Sequence, residues 1–392
     1  MSNKFLKYLF YLSLFSLILG PLGKVPLGVP YINIYFSDLV IAAIGIAWLS
    51  KLPQLRSLLK EDKIFRYFSY FVAVCLLSLI FTPTSMLFYE KGVSALYLLR
   101  VIAYFMIYPT VVYLTREKEI KIADIIKYLG IVGCCVAVIG WMQYFLYPDL
   151  RNLFYLGWDP HLMRIFSTFF DPNFLGLILL LSLIALFFRQ KASIFVWFAR
   201  IFVFMTLLFT YSRSSYLALI CSALFYSTAR RKFLAIIAVL VILLFSILLL
   251  PRPSGEGVKL ERVFSIEQRI DSWKLAITMF KDHPLLGVGF NTIRFAKREY
   301  GLPQDFWRES HSGAGFENSY LFVGATAGII GFIAYIFFLW QCFRNSGLFT
   351  RISLVAIMVH SFFLNTLFFP WVMLWMWVLL GIRDYKSPFF RQ

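Results

Sequence analysis

Long apolar segments recur along this chain from one end to the other, and they restrict its fold more than any motif does. A helix needs about 20 apolar residues to cross the hydrocarbon core of a bilayer. Segments of that character lie at 5–22, 34–50, 64–82, 94–114, 124–146, 166–188, 193–211, 213–229, 232–250, 317–342, 351–368 and 369–383. Only Phe369-Pro370-Trp371 separates the last two. The 392 residues are 60% hydrophobic, against about 45–50% in soluble domains. The expected fold is an all-α integral membrane protein of about twelve transmembrane helices.

The polar connections orient these spans. Basic residues collect at 3–7, 51–66, 116–121, 189–191, 230–232, 344–351 and 383–391. With twelve spans all of them fall on one side, which the positive-inside rule makes cytoplasmic. The other side holds 20–33, 82–92, 147–164, a tight turn near 211–214 and the long stretch 251–316. The chain then divides into spans one to nine (1–250), a periplasmic or external loop (251–316), and spans ten to twelve with a cytoplasmic tail (317–392). The loop is not disordered by composition. Trp273, Ala276, Ile277 and Phe280 recur at the spacing of an amphipathic helix. Pro284, Gly287 and Gly289 end that helix, and Asn291 is placed to cap a second short one that stops at Gly301.

The net charge of +18 follows largely from the cytoplasmic bias. No soluble basic surface of the kind that binds nucleic acid is visible. Cys75, Cys134, Cys135, Cys221 and Cys342 lie in apolar segments without CxxC or Cys/His spacing. Neither a disulfide framework nor a metal site is expected, and no cofactor. The segment 4–20 looks like a signal peptide but has no convincing cleavage site, and is expected to stay as the first span. Gly324-Ala325-Thr326-Ala327-Gly328 is a GxxxG pattern, expected to mark close helix packing.

Four arginines stand out against this background: Arg100, Arg164, Arg213 and Arg269. Each lies in or beside an apolar segment, toward the external face. A charge at the centre of a membrane helix costs roughly 2.5–3.5 kcal/mol on insertion scales. A cluster of them implies an anion, here an anionic group carried on a lipid. Guanidinium presents a fork of donors that matches phosphate oxygens, and the serines around Arg213 add more. Blander readings compete. Arg213 could reach lipid headgroups, and Arg100 could pair with Asp38 or Glu90. Arg164 could pair with Asp171, whose Asp-Pro-Asn reads as a turn or helix start. Arg269 could be solvated.

Two groups at the end of the loop could act as general base, His311 and Glu317. Glu317 is equally a plain acid at a helix N-terminus. His161 and His283 are external and receive no role, and His360 reads as a packed or hydrogen-bonded histidine within a span.

Several of these residues fall into a pattern. Arg164-x₃-Thr168-x₂-Asp171-Pro172-Asn173, then Ser212-Arg213-Ser214, then Arg269-x₃-Trp273-x₂-Ala276 occur in order. Pro284-Leu285-Leu286-Gly287-Val288-Gly289, Glu317-Asn318-Ser319-Tyr320-Leu321 and Ala327-Gly328-Ile329-Ile330-Gly331 follow. In this order the stretch 160–340 resembles the O-antigen ligase/polymerase family of bacterial membrane glycosyltransferases. The resemblance implies transfer of a glycan from an undecaprenyl diphosphate carrier at the periplasmic face of the inner membrane. It implies that Arg213 and Arg269 hold the diphosphate, with Arg164 and Arg100 as further ligands. Where the family's ligases have the histidine of a His-Asn motif, this chain has Glu317. That departure leans the expectation toward an O-antigen or exopolysaccharide polymerase rather than a lipid A–core or protein ligase.

The expected partners are an undecaprenyl-diphosphate-linked oligosaccharide, an acceptor glycan, membrane lipid and a chain-length regulator, with no nucleic acid. The expected chemistry is a metal-independent, inverting displacement. A flippase for the same lipid would also want arginines. It would place polar groups along the whole path, whereas these charges gather at one face.

Overall fold

The computed structural model describes residues 2–26, 28–29, 31–156, 158–189, 193–253, 255–261, 263–302 and 315–382. Regular structure in them is almost wholly helical. The exception is one antiparallel pair, β1 (Lys24–Val25) with β2 (Ile34–Tyr35), in the register Lys24↔Tyr35 and Val25↔Ile34.

Every apolar segment contains helix, although in 351–368 the helix stops at His360 and a turn and a short 3-10 segment follow. In chain order the helices are α1 (Asn3–Leu19), α2 (Phe36–Leu49), α4 (Lys63–Ile80) after the short α3 (Leu52–Leu59), and α5 (Phe88–Phe105) with α6 (Ile107–Arg116). There follow α7 (Ile122–Leu146), α8 (Pro172–Phe187), α9 (Ile194–Leu208), α10 (Arg213–Arg230) and α11 (Phe233–Leu249). After α12 (Phe264–Asp282) and α13 (Ile293–Ala296) come α14 (Ser319–Arg344), α15 (Leu348–His360) and α16 (Pro370–Gly381).

Among the described residues, length and apolarity qualify five helices as crossings: α1, α4, α5 with α6, α7 and α14. A sixth joins them if α2 and α3, bent by 98°, form one broken span. α8, α9, α11, α15 and α16 are apolar but only 10–17 residues long. At about 1.5 Å per residue such helices fall short of a hydrocarbon core of about 30 Å. The figure of twelve therefore rests on the charge pattern rather than on helix length. Together these helices describe a multi-pass membrane protein.

Burial separates the interior helices from the peripheral ones. α16 is buried at every position from Pro370 to Gly381, and α8 at nearly every one. Helices that are apolar all round and surrounded by protein belong in the middle. Trp377 of α16 packs its ring on Phe68 (5.1 Å), Phe105 (5.1 Å) and Phe338 (5.8 Å), gathering α4, α5 and α14 around itself. α11 is the opposite case. It buries only Leu243 and exposes Leu234, Phe245 and Leu248, the apolar surface that a lipid environment accepts.

The GxxxG pattern resolves into a broken helix. Gly328 interrupts α14 with φ 62°, and the segment Pro284–Gly289 lies across the break. Val288 N–H donates to the Ala325 carbonyl (2.9 Å), Gly289 N–H to Thr326 (3.1 Å), and Ile329 N–H to Pro284 (2.8 Å). Loop and helix thus satisfy the backbone groups that each would otherwise leave unpaired. A Cβ at Gly328 would sit 2.2 Å from the Leu285 oxygen, so close approach requires glycine there.

α12 is the amphipathic helix read from the Trp273 repeat, and it packs on α14. Its fully buried residues are Ala276 and Met279, while Ile277 is 42% exposed, so the buried stripe is turned from the expected one. Asn291 does not cap the next helix. It takes a left-handed backbone (φ 58°), and α13 begins after Thr292.

Candidate functional site

Several chain ends are joined at one end of the bundle by short hydrogen bonds. Asp171 caps α8: its Oδ1 accepts from the amides of Asn173 (2.6 Å) and Phe174 (3.4 Å). Pro172 occupies the first helical position, where a missing N–H is harmless. Ser212 caps α10, with Arg213 as its first residue, and Asn318 caps α14. Ser215 Oγ donates to the Asn173 carbonyl (3.3 Å), and His360, the last residue of α15, reaches the same carbonyl through Nε2 (3.1 Å). The Ser319 amide donates to the Ser361 carbonyl (2.9 Å). The N-termini of α8, α10 and α14 are thereby neighbours, and helix N-termini favour negative charge.

Three of the four arginines meet here. Arg164 is 3% exposed. Its Nε donates to the Thr210 carbonyl (2.8 Å) and its Nη2 reaches Asn173 Oδ1 (3.5 Å). Arg213 Nη1 donates to the Leu260 carbonyl at 3.1 Å. Arg269 is neither solvated nor turned to lipid: its Nε donates to Glu317 Oε2 at 2.8 Å, and its two terminal nitrogens take no partner among the described residues. The charges of Arg213 and Arg269 act on each other. Two like charges held close repel more strongly as their surroundings become less polar, and an anion between them would relieve it. The serines beside Arg213 are already committed. Ser212 Oγ interacts with Ser214 and Ser215, and Ser215 also serves Asn173.

Arg100 belongs to a different group of contacts. Its guanidinium pairs with Asp38 (2.8 Å), donates to the Asn33 carbonyl, and lies over the rings of Tyr35 and Tyr97. The other partner considered for it, Glu90, binds Arg298 through both oxygens, at 2.9 and 2.7 Å.

Glu317 is fixed from several sides. Arg269 holds its carboxylate, Trp273 Nε1 donates to its carbonyl (3.1 Å), and its amide donates to Ser272 Oγ (3.3 Å). Burial raises its pKa, Arg269 opposes that shift, and Asp171 adds to it. His311, the other base read from the sequence, lies outside the described residues. His360 is hydrogen-bonded at both nitrogens, as expected. The Asn173 carbonyl can only accept, so Nε2 carries a proton, and Nδ1 meets Thr366 Oγ1 at 2.7 Å.

A third carboxylate went unread in the sequence. Asp159 lies in the connection between α7 and α8, within electrostatic reach of Asp171, Glu317 and Arg164. Its signal was an aspartate between Trp158 and Pro160 in a connection between apolar segments, too common a pattern to select. Near the cluster, an open, shallow apolar depression of about 640 Å³ lies between α7 and α9, lined by Trp141, Phe198, Ala199, Ile201, Phe202 and Met205. Trp141 Nε1 donates to Thr206 Oγ1 (3.0 Å), one turn from the Thr210 carbonyl that receives Arg164.

Residues 198–336 match the model of the family described as O-antigen ligase. The matched stretch runs from within α9 into α14 and contains Arg213, Arg269 and Glu317. It supports assignment to the O-antigen ligase/polymerase family, whose enzymes are of glycosyltransferase type and act on lipid-linked glycans and their acceptors. No curated protein matches the chain significantly.

Proposed function

We propose, starting from the family match of residues 198–336, that this protein is an O-antigen or exopolysaccharide polymerase of the inner membrane. It transfers a glycan from undecaprenyl diphosphate to a sugar hydroxyl at the periplasmic face. The observation that carries this reading is the neighbouring pair Arg213 and Arg269, two guanidiniums acting on each other at a meeting of helix N-termini. A diphosphate is the anion that such a site suits. Arg164 adds a third positive charge to the cluster, and the open apolar depression between α7 and α9 suits the polyprenyl tail.

In the reaction the acceptor oxygen attacks the anomeric carbon as the bond to the diphosphate oxygen breaks. The leaving diphosphate takes the electron pair, and a single displacement inverts the anomeric centre. Arginines aimed at the leaving group stabilise the charge that builds on it, the electrostatic role that often dominates catalysis. Glu317 serves this step by holding Arg269 through Nε, with the terminal nitrogens left to face the phosphate. Arg100, engaged by Asp38, serves the fold.

The test offers the purified protein one undecaprenyl-diphosphate-linked repeat unit and no other acceptor, and resolves the products by mass spectrometry. A ladder of longer lipid-linked glycans is expected. Turnover only when lipid A–core or a protein acceptor is added would make the protein a ligase. No turnover with any acceptor would bring forward a flippase.

A further inference from the structure

Three carboxylates stand within electrostatic reach of the arginine cluster, and two of them have one oxygen already engaged. Asp171 spends its Oδ1 on the amides that open α8. Glu317 gives its Oε2 to Arg269. Asp159 accepts no hydrogen bond among the described residues, and it reaches solvent on one side while protein surrounds the rest of it.

The fold nevertheless fixes where Asp159 stands. The connection carrying it is pinned at its base by the bridge Asp149↔Leu162, with Leu150 N–H donating to the His161 carbonyl (2.8 Å) and Met163 N–H to Pro148 (2.9 Å). Trp158 packs its ring on Phe170 at 4.9 Å, the residue immediately before Asp171. That contact carries the neighbouring Asp159 to the mouth of the cluster, within reach of Asp171, Glu317 and Arg164.

Resting on the proposed glycosyl transfer, we propose that Asp159 is its general base. Its carboxylate takes the proton of the acceptor hydroxyl while the new C–O bond forms and the polyprenyl diphosphate departs with the electron pair of the broken bond. The protonated Asp159 then returns its proton to solvent. A carboxylate with no partner among the described residues has both oxygens to offer an incoming hydroxyl, whereas Glu317 and Asp171 each have one oxygen already engaged. The charged surroundings suit the task. Surrounding protein first, and then Asp171 and Glu317, raise the pKa of Asp159 to about 7, with Arg164 opposing. A base works best with a pKa near the operating pH.

The experiment measures extension of an undecaprenyl-diphosphate-linked repeat unit by wild type, Asp159→Asn and Asp159→Glu across a pH series. Asp159→Asn is expected to lower kcat by about 10²–10⁴-fold, the usual worth of a general base, with KM for the donor nearly unchanged. The wild-type rate should fall as pH drops through about 7, and that limb should vanish in Asp159→Asn. Asp159→Glu should recover part of the loss. A folded Asp159→Asn with near wild-type kcat overturns the assignment, and so does a loss confined to KM. These outcomes leave the transfer reaction standing. Absence of turnover in the wild type with every acceptor removes the transfer reading and the base together.

Discussion

Arg269 Nε lies 2.8 Å from Glu317 Oε2, and this pair ties the amphipathic helix α12 to the start of α14. One of the three guanidinium nitrogens is thus spent on orientation. The other two, the terminal nitrogens, have no partner among the described residues.

If Glu317 works through Arg269, the two residues behave as a unit. Arg269→Ala should lower kcat/KM by about 10²–10³-fold, the cost of losing one donor to a developing anion. Arg269→Lys should not restore it, because a single ammonium cannot bind Glu317 and phosphate with one fixed fork. Glu317→Gln should cost about tenfold, and the double variant no more than Arg269→Ala alone. Steady-state kinetics on lipid-linked donor read all three. A Glu317→Gln loss as large as that of Arg269→Ala would instead return Glu317 to the role of base.

The break in α14 predicts a sharp contrast between two glycines of one motif. Gly328 has φ 62°, and its Cβ would meet the Leu285 backbone at 2.2 Å, so Gly328→Ala should destabilise by at least about 2 kcal/mol. The nearest neighbour to a Cβ at Gly324 is Phe280 Cδ2 at 3.7 Å, an ordinary contact. Gly324→Ala should therefore fall within about 0.5 kcal/mol of wild type. Thermal unfolding in detergent distinguishes the two.

Arg100 and Asp38 are mostly buried, with side chains 18% and 15% exposed. Removing one partner strands the other, so Arg100→Met alone should cost on the order of 3 kcal/mol. Arg100→Met with Asp38→Asn should recover much of that loss. Turnover per folded molecule should stay within about twofold of wild type in the double variant, since no step of the transfer uses the pair. A selective loss of donor affinity would instead make Arg100 a phosphate ligand.

Asp159 also predicts how stability depends on pH. Its pKa is raised in the fold, so the folded state binds a proton that the unfolded chain has already released over the range from about 4 to 7. As pH rises through that window, stability falls. Asp159→Asn removes the ionisation and should raise the melting temperature at about pH 8, with no gain below about pH 4. Melting curves of the two proteins at both pH values check the sign.

Much of the helical plan was legible in the sequence because apolar run length is a local property. Every apolar segment contains helix, and Trp273 with Ala276 announced α12. Asp171-Pro172-Asn173 announced the start of α8, because capping and proline chemistry act within one turn. The order of the arginines and of Glu317 along the chain was enough to suggest the family that residues 198–336 match.

Partnership was not local, and only the tertiary structure decided it. Arg269 meets Glu317 across 48 residues, Arg298 meets Glu90 across 208, and His360 meets Asn173 across 187. The sequence contains each of these charges and dipoles but says nothing of their separation in space, on which every electrostatic and hydrogen-bond energy depends. The same reason hid Asp159, unremarkable in its loop until Trp158 packs on Phe170 and brings it within electrostatic reach of Arg164. Gly328 repeats the lesson for the backbone. Its motif told of close approach, but only the fold shows that the approaching chain is the loop at Leu285 rather than another helix.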